Sequence, residues 1–357
     1  MELDFADVLI EVMEMGASDL HLTAGAPPMA RKRGVMGPLD YPTLTPQMVR
    51  EIVYSILTND QRQRLETDWQ IDLAYSIPGR ARFRVNAYFQ RASLGAAFRL
   101  IPQEMPALAD LGMPSVLRDF SKKPRGFVLV TGPTGSGKST TLAAIIDLIN
   151  ETRQEHIMTI EDPIEFLHKH KKCIINQREI GADAKSFSAA LKGALRQDPD
   201  VILVGEMRDL DTISTALTAA ETGHLVFATL HTQDAAQTVD RIVDVFPPAQ
   251  QQQVRVQLSV ALQGIVTQQL LPTADGKGRC VAAEILVPTP AVRNLIREGK
   301  THQIYSTLQT GGSHGMQTMD ASLADLVRQG LISRDMAEAR SSAPDELRRL
   351  MGTVRVA

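Results

Sequence analysis

The stretch Gly132-Pro133-Thr134-Gly135-Ser136-Gly137-Lys138-Ser139-Thr140 decides the fold of this chain. It fits the pattern G-x-x-x-x-G-K-[S/T], in which glycines let backbone N–H groups turn inward around an anion. An apolar run at 126–131 precedes it, and the apolar residues that follow it share one face of a helix. A strand, a glycine-rich loop and a helix in this order predict a phosphate-binding loop in an α/β domain.

The side chains of this loop indicate which phosphates it binds. Lys138 can reach the β- and γ-phosphates of a nucleotide, and the Ser139 hydroxyl can be a ligand of Mg²⁺. The helix N-terminus adds partial positive charge. We therefore predict ATP and Mg²⁺ as ligands. The predicted nucleotide contacts are Gly132, Pro133, Thr134, Gly135, Ser136, Gly137, Lys138, Ser139 and Thr140.

Composition excludes several classes of protein. The chain has 357 residues, which suggests two domains, and a net charge of −3, which argues against a nucleic-acid-binding protein. Its two cysteines lie far apart and form neither a zinc motif nor a disulfide framework. The acidic start does not resemble a signal peptide, and no apolar run approaches the ~18 residues that span a membrane. We expect a cytoplasmic protein without direct membrane insertion.

The chain is predicted to form two domains joined by a linker. Residues 1–100 show helical patterns at 2–15 and 45–66 and strand patterns from 69 to 100, which predicts a small α+β domain. Prolines punctuate residues 101–123, the predicted linker.

Residues 124–357 form the second predicted domain. Strands alternate there with helices, which predicts a parallel sheet covered on both faces. After residue 234 the pattern is mostly helical, with one predicted helix at 249–266.

Acidic residues follow two of the predicted strands. Glu206 ends the apolar run that starts at Val201, and in phosphate-loop enzymes such a carboxylate serves Mg²⁺ or the attacking water. We assign Glu206 to the water and name it, with Ser139, as a metal ligand. The run Glu161-Asp162-Pro163-Ile164-Glu165 follows another strand. It is either a solvated loop or a further group that positions metal and water, and in the second case Glu165 is the preferred residue.

Two histidines flank the predicted strand 225–229. His231, at its carboxyl end, can donate to the γ-phosphate and respond to its loss. His224, at the other end, is either structural, at a subunit contact or part of the nucleotide site.

Arginines are concentrated in the strands of the first domain. Arg84 and Arg99 have two interpretations. They belong to a solvated sheet face, or they reach a nucleotide bound elsewhere or on a neighbouring subunit.

Together these motifs resemble the secretion ATPase, or GspE, superfamily, and within it the PilT-like type IV pilus retraction ATPases. Residues 132–140 match the family's Walker A motif, Thr159–Glu165 its Asp box, and 203–209 its Walker B region with Glu206 as the catalytic glutamate. Residues 222–232 match its His box. The segment 291–298 resembles its C-terminal retraction motif, with Val292 where the family usually has isoleucine.

The resemblance implies a PAS-like N-terminal domain followed by a RecA-like ATPase domain with a helical C-terminal part. It also implies a homohexamer whose N-terminal arginines, by similarity Arg84 and Arg99, act on the neighbouring subunit's nucleotide. ATP hydrolysis would drive pilin depolymerisation and twitching motility, at the inner face of the cell membrane. The implied partners are an inner-membrane platform protein and an accessory retraction ATPase.

Three alternatives stay open. Pilus-assembly and type II secretion ATPases often carry a four-cysteine zinc insertion and extra N-terminal domains, and with two cysteines and 357 residues we expect neither here. A DNA-translocating RecA-like motor conflicts with the acidic net charge. An accessory subunit that works through a partner conflicts with the intact Lys138 and Glu206.

Overall fold

The structure is a computed structural model that describes residues 4–78, 80–101 and 105–352. The parts of the predicted domains and linker at 1–3, 102–104 and 353–357 lie outside these ranges. The chain divides into two units, Met1–Glu104 with Glu165–Leu167, and Met105–Ile164 with His168–Ala357. The predicted fold class, a mixed α+β unit followed by an α/β ATPase unit, is confirmed.

The first unit is an antiparallel sheet with helices. Its elements in chain order are α1 (Phe5–Glu14), β1 (Asp19–Thr23), β2 (Met29–Lys32), β3 (Val35–Pro38), α2 (Pro46–Ser55), α3 (Asn59–Asp68), β4 (Gln70–Ile77), β5 (Ala81–Gln90) and β6 (Ser93–Ile101). The strand order is β3-β2-β1-β6-β5-β4. Side chains of β5 alternate, so Phe83 and Val85 enter the core while Arg84 faces solvent.

The structure divides the helix predicted at 45–66 into α2 and α3. Thr58 begins α3 with a capping box, because its side chain accepts from the Gln61 backbone N–H while the Gln61 side chain accepts from the Thr58 backbone N–H. The pattern also missed β2 and β3, because their four-residue sequences do not alternate between apolar and polar side chains.

The second unit contains the remaining elements. They are α4 (Val116–Ser121), β7 (Gly126–Thr131), α5 (Lys138–Thr152), β8 (His156–Glu161), β9 (Ile174–Glu179), α6 (Phe187–Ala194), β10 (Val201–Val204), α7 (Leu210–Glu221), β11 (Leu225–Leu230), α8 (Ala235–Asp244), α9 (Pro248–Ala261), β12 (Leu262–Pro272), β13 (Arg279–Leu286), α10 (Pro290–Glu298), α11 (Ile304–Thr310), α12 (Met319–Arg328), α13 (Arg334–Arg340) and α14 (Pro344–Met351). Short 3₁₀ turns lie at Leu108–Leu111, Thr301–Gln303 and Gly312–His314.

The sheet of this unit has the order β13-β12-β7-β11-β10-β8-β9. All neighbouring pairs are parallel except β12 with the edge strand β13. Along β7 the apolar side chains alternate between two buried clusters, Phe127 and Leu129 in one and Val128 and Val130 in the other. Because both faces of the sheet are covered, functional side chains are directed to its edges and strand ends.

The segment predicted as a linker contributes to the core of the second unit. Leu108, Leu117 and Phe120 are buried there against the β7 face that carries Val128 and Val130. Prolines interrupt the segment, but its buried apolar side chains pack against the sheet and join the segment to the second unit.

The predicted helix at 249–266 is wrong at its C-terminal end. Helix α9 ends at Ala261, and the chain continues directly as strand β12. Ile265, Val266 and Thr267 are β-branched and favour an extended strand. The C-terminal part therefore adds two strands to the sheet as well as helices.

Among the helices of the described residues, none combines the length and apolarity needed to cross a bilayer.

Candidate nucleotide site

The phosphate-binding loop leaves the central strand β7 and enters helix α5 at Lys138. Gly132 and Gly137 have φ angles of 136° and 90°, in the left-handed region that favours glycine. A Cβ on Gly132 would lie 2.3 Å from the backbone oxygen of Gln268. No other residue fits at this position without moving strand β12, so the loop geometry depends on that glycine.

The Lys138 side chain folds back over the loop. Its Nζ donates to the carbonyl oxygens of Gly132 at 2.8 Å and of Pro133 at 3.0 Å. The side chain is buried, whereas Ser139, next in the helix, is exposed. The ammonium group is therefore held beside the loop, and the Ser139 hydroxyl is open to a ligand.

Glu206 lies two residues beyond the end of strand β10 and is half-buried. Arg208 binds both its carboxylate oxygens, with Nε at 2.5 Å from Oε1 and Nη2 at 2.7 Å from Oε2. His231 follows strand β11, and its Nε2 lies 2.9 Å from Oε1 of Glu206. The structure thus brings together the two predicted catalytic residues, Glu206 and His231, and adds Arg208, which sequence reasoning missed.

This arrangement sets the charge of Glu206. Burial alone would raise the pKa of its carboxyl group, but the hydrogen bonds and charge of Arg208, with a smaller contribution from His231, lower it below the usual value. In return, Glu206 raises the pKa of the Arg208 guanidinium. Glu206 is therefore ionised under ordinary conditions and can accept a proton or orient a water molecule.

A second acid lies beside Glu206. Strand β8 pairs with β10, and a Cβ on Gly205 would lie 3.2 Å from Cα of Glu161, the last residue of β8. The Thr159 hydroxyl donates to Glu161 Oε1 at 2.6 Å. In the register of β8 and β10, Ile160 pairs with Val204, so Glu161 lies one residue beyond that pair and Glu206 two.

Glu165, the acid preferred from sequence, is exposed and lies in the short segment Glu165–Leu167. No described hydrogen bond links it to Glu206 or to the phosphate-binding loop. Its role stays a prediction.

His224 does not join this cluster, and the two predicted arginines belong to the first unit. His224 precedes β11, at the opposite end of the strand from His231, and its ring Nδ1 lies 3.0 Å from the Ala219 carbonyl oxygen. Arg84 and Arg99 are cross-strand partners on the exposed face of the first unit's sheet. A role for these three residues at the nucleotide stays a prediction.

Comparison with known proteins gives a consistent result. Residues 2–340 match the model of a family described as "Type II/IV secretion system protein". A "Type IV pilus retractation ATPase PilT" from Pseudomonas aeruginosa is 53% identical over 96% of this chain and 99% of its own length. A "Twitching motility protein" from Neisseria gonorrhoeae is 53% identical over 90% of this chain and 86% of its own length.

Solved structures agree with the sequence relatives. A crystal structure described as the pilus retraction motor PilT with bound ADP superposes with a TM-score of 0.92 at 52% identity. The match covers 98% of this chain and 100% of that one, so both units have counterparts in the solved protein.

Proposed function

We propose that this chain, which belongs to the Type II/IV secretion system protein family, is a motor ATPase that hydrolyses ATP to drive type IV pilus retraction. One observation carries the ATPase assignment. At the carboxyl ends of four adjacent parallel strands, in the order β7, β11, β10 and β8, stand the phosphate-binding loop, His231, Glu206 and Glu161. Ligands of open α/β sheets bind at this edge.

The phosphate-binding loop provides the grip on the nucleotide. Backbone N–H groups at the start of α5 point along the helix axis toward the phosphates, where the helix dipole favours negative charge. Lys138 exchanges the carbonyl oxygens of Gly132 and Pro133 for phosphate oxygens, which are stronger acceptors. The Lys138 ammonium group is already held beside the loop, so it needs to move only a short distance to reach a phosphate.

Glu206 and His231 act at the γ-phosphate. The Glu206 carboxylate orients the attacking water, and one of its oxygens must release Arg208 or His231 to do so. His231, which bonds to the same carboxylate, is placed to donate to the phosphoryl oxygens as negative charge develops there. Glu165 is the further acid that we expect to position metal and water.

The site also suits Mg²⁺. Within the described ranges, no three His, Cys, Asp or Glu side chains form a metal-binding group. Mg²⁺ at such sites is held chiefly by nucleotide phosphates and water, with one or two protein oxygens, for which Ser139 and Glu206 are suitable. When bound, the ion neutralises charge on the phosphates.

Retraction implies an assembly around this chain. We expect a homohexamer with nucleotides between subunits, in which Arg84 and Arg99 of one protomer, and His224, serve a neighbour's site. We expect it in the cytoplasm at the inner face of the membrane, bound to a platform protein of the pilus and in some settings to an accessory retraction ATPase. Nucleic acid is not an expected partner.

Phosphate release by the purified full chain with Mg²⁺ and ATP tests the ATPase assignment. Lys138→Ala is expected to abolish measurable turnover, and Glu206→Gln to lower kcat by about 100-fold or more while nucleotide binding persists. Lys277→Ala, in an exposed turn, and Glu51→Gln, on an exposed helix face, are the matched controls.

Equal rates for wild type, Lys138→Ala and Glu206→Gln would contradict the enzyme assignment and leave an adaptor subunit. Twitching of a strain that lacks its own retraction ATPase, complemented with this chain, tests the pilus role. Restored twitching with wild type and none with Glu206→Gln is the expected result. Turnover without restored twitching would contradict the retraction role and favour another motor of the family.

A further inference from the structure

Gln268 of strand β12 is a fully buried polar side chain in contact with the phosphate-binding loop. Its Nε2 donates to the carbonyl oxygen of Ser136 at 2.7 Å, and its backbone oxygen is the atom that a Cβ on Gly132 would meet. A Cβ on Gly137 would in turn lie 3.1 Å from Nε2. One residue therefore contacts both ends of the loop.

The neighbouring residue fixes the position of this contact. Thr267 pairs with Thr131, the last residue of β7, and their hydroxyl oxygens are 2.8 Å apart in the buried core. Gln268 is consequently held beside Gly132, where the loop begins. Strand pairing, and not the side chain alone, determines where the amide points.

Peptide geometry turns this hydrogen bond into a constraint on phosphate binding. The carbonyl of Ser136 and the N–H of Gly137 belong to one planar trans peptide, so they point in opposite directions. Since Gln268 holds the Ser136 oxygen on the strand side, the Gly137 N–H points away from β12, to the side of the loop where phosphate binds. Gly137 has a left-handed φ, and glycine is the residue whose flanking peptide rotates most freely without such an anchor.

The amide oxygen of Gln268 indicates that glutamine has a functional role at this position. Its Oε1 is buried and accepts no hydrogen bond from the described residues. Such an acceptor is costly, and an apolar side chain of similar size would avoid the cost. Glutamine at this position is explained by the donor that it offers to Ser136.

We propose that Gln268 is a positioning residue of the nucleotide site, which sets the direction of the Gly137 N–H by holding the Ser136 carbonyl. This rests on the proposed nucleotide binding at residues 132–140. Gln268 touches no substrate and acts through the loop. Its loss weakens binding of substrate and transition state alike, so it raises KM and the Kd of ADP and leaves kcat nearly unchanged.

The test uses Gln268→Met, which keeps the volume and removes the donor, in the full chain. ADP with Mg²⁺ is titrated by calorimetry, and phosphate release gives KM and kcat. We expect Kd and KM to rise about tenfold, or about 1.4 kcal/mol, with kcat within about threefold. The matched control is Gln269→Met, because Gln269 is the next residue of β12 and points to the other face of the sheet.

Each outcome decides between hypotheses. Wild type that fails to bind ADP overturns the proposed function itself. Two results would overturn only the positioning role, provided that wild type binds ADP. One is an unchanged Kd of ADP for Gln268→Met, and the other is a rise in Kd for Gln269→Met as large as that for Gln268→Met. A fall in kcat without a rise in KM indicates loss of active protein and also contradicts it. If Gln268→Met does not fold, Gln268→Glu serves instead. A buried carboxyl group takes up a proton and can then donate to the Ser136 oxygen, so binding of ADP by Gln268→Glu should stay closer to wild type at low pH and weaken as the pH rises.

Discussion

The two sheets of this protein present their charged residues in opposite ways. In the second unit, His231 and Arg208 both bond to Glu206 at the ends of adjacent strands, beside the end of β8. In the first unit, Arg84 and Arg99 lie side by side in the middle of paired strands, on an exposed face. At the strand ends, side chains from several strands come together and form a site. On an exposed sheet face, side chains can contact only a group that packs against that face from outside.

The two arginines also differ from each other. Arg99 is 72% exposed but donates to Asp19 at 2.8 Å, and Asp19 is buried. Arg84 forms no ion pair or hydrogen bond among the described residues and is exposed. The sheet therefore holds Arg99 in place and leaves Arg84 free to extend. Of the two, Arg84 is the better candidate for reaching a group outside its own unit.

The largest expected effect separates these arginines. Arg84→Ala should lower turnover by at least about tenfold, because an arginine that stabilises phosphoryl charge has no substitute at the site. Binding of ADP to the monomer and thermal stability should remain near wild type. Arg99→Ala should cost less activity and more stability, because it leaves Asp19 with one partner fewer. Steady-state phosphate release, ADP titration and melting curves measure the three quantities.

Mixing experiments then show whether Arg84 acts on a neighbour. Subunits with Arg84→Ala and subunits with Glu206→Gln should each show strongly reduced turnover alone. Combined, they form some interfaces in which one protomer supplies Glu206 and the next supplies Arg84, so turnover should reappear. Failure to recover any turnover, with mixed rings confirmed by mass spectrometry, would contradict the assignment in trans.

The sequence predicted the residues that follow strands better than the residues on the exposed sheet face. The phosphate-binding loop, Glu206 and His231 were predictable because each directly follows an apolar run in sequence. Arg208 depends on side-chain direction, which the sequence did not specify. Glu161 belongs to the predicted acidic run, but Glu165 was preferred there because the neighbour of β8 in the sheet was not known. Gln268 was missed for a further reason: its strand, β12, was assigned to a helix. The roles of Glu165, His224 and the two arginines stay predictions, because no described contact joins these residues to Glu206 or His231.

A smaller effect concerns the charge of Glu206. Burial raises the pKa of this carboxyl group, and Arg208 together with His231 more than offsets it, so Arg208→Gln should raise the pKa of Glu206. Water is oriented by the ionised form, so the acid limb of the kcat/KM profile should move to higher pH in the variant. Arg334→Gln, on an exposed helix of the C-terminal part, is the control. An acid limb that stays in place would mean that another group limits the reaction at low pH.

The smallest expected effect is on stability, and it tests whether the charge of the buried Asp19 stabilises the sheet of the first unit. Burial raises the pKa of Asp19, but hydrogen bonds from Ser18 and Arg99 and the charge of Arg99 outweigh burial and lower it. A lowered folded-state pKa stabilises the protein above the unfolded value, and this contribution disappears as the pH falls through the folded-state pKa. Asp19→Asn should therefore lower the free energy of unfolding by about 1 kcal/mol at pH 7, a modest value because solvent screens the exposed Arg99.

The difference between Asp19→Asn and wild type should narrow as the pH falls below about 4, where the aspartate is protonated first in the unfolded state and then in the folded state. Urea unfolding followed by the fluorescence of Trp69 reports on this unit, because Trp69 is the chain's single tryptophan and caps helix α3. Asp40→Asn, at an exposed position of the same unit, should show no such difference. A difference that persists unchanged at low pH would mean that Asp19 stabilises the sheet through packing and not through its charge, and Arg99 would then be as free as Arg84.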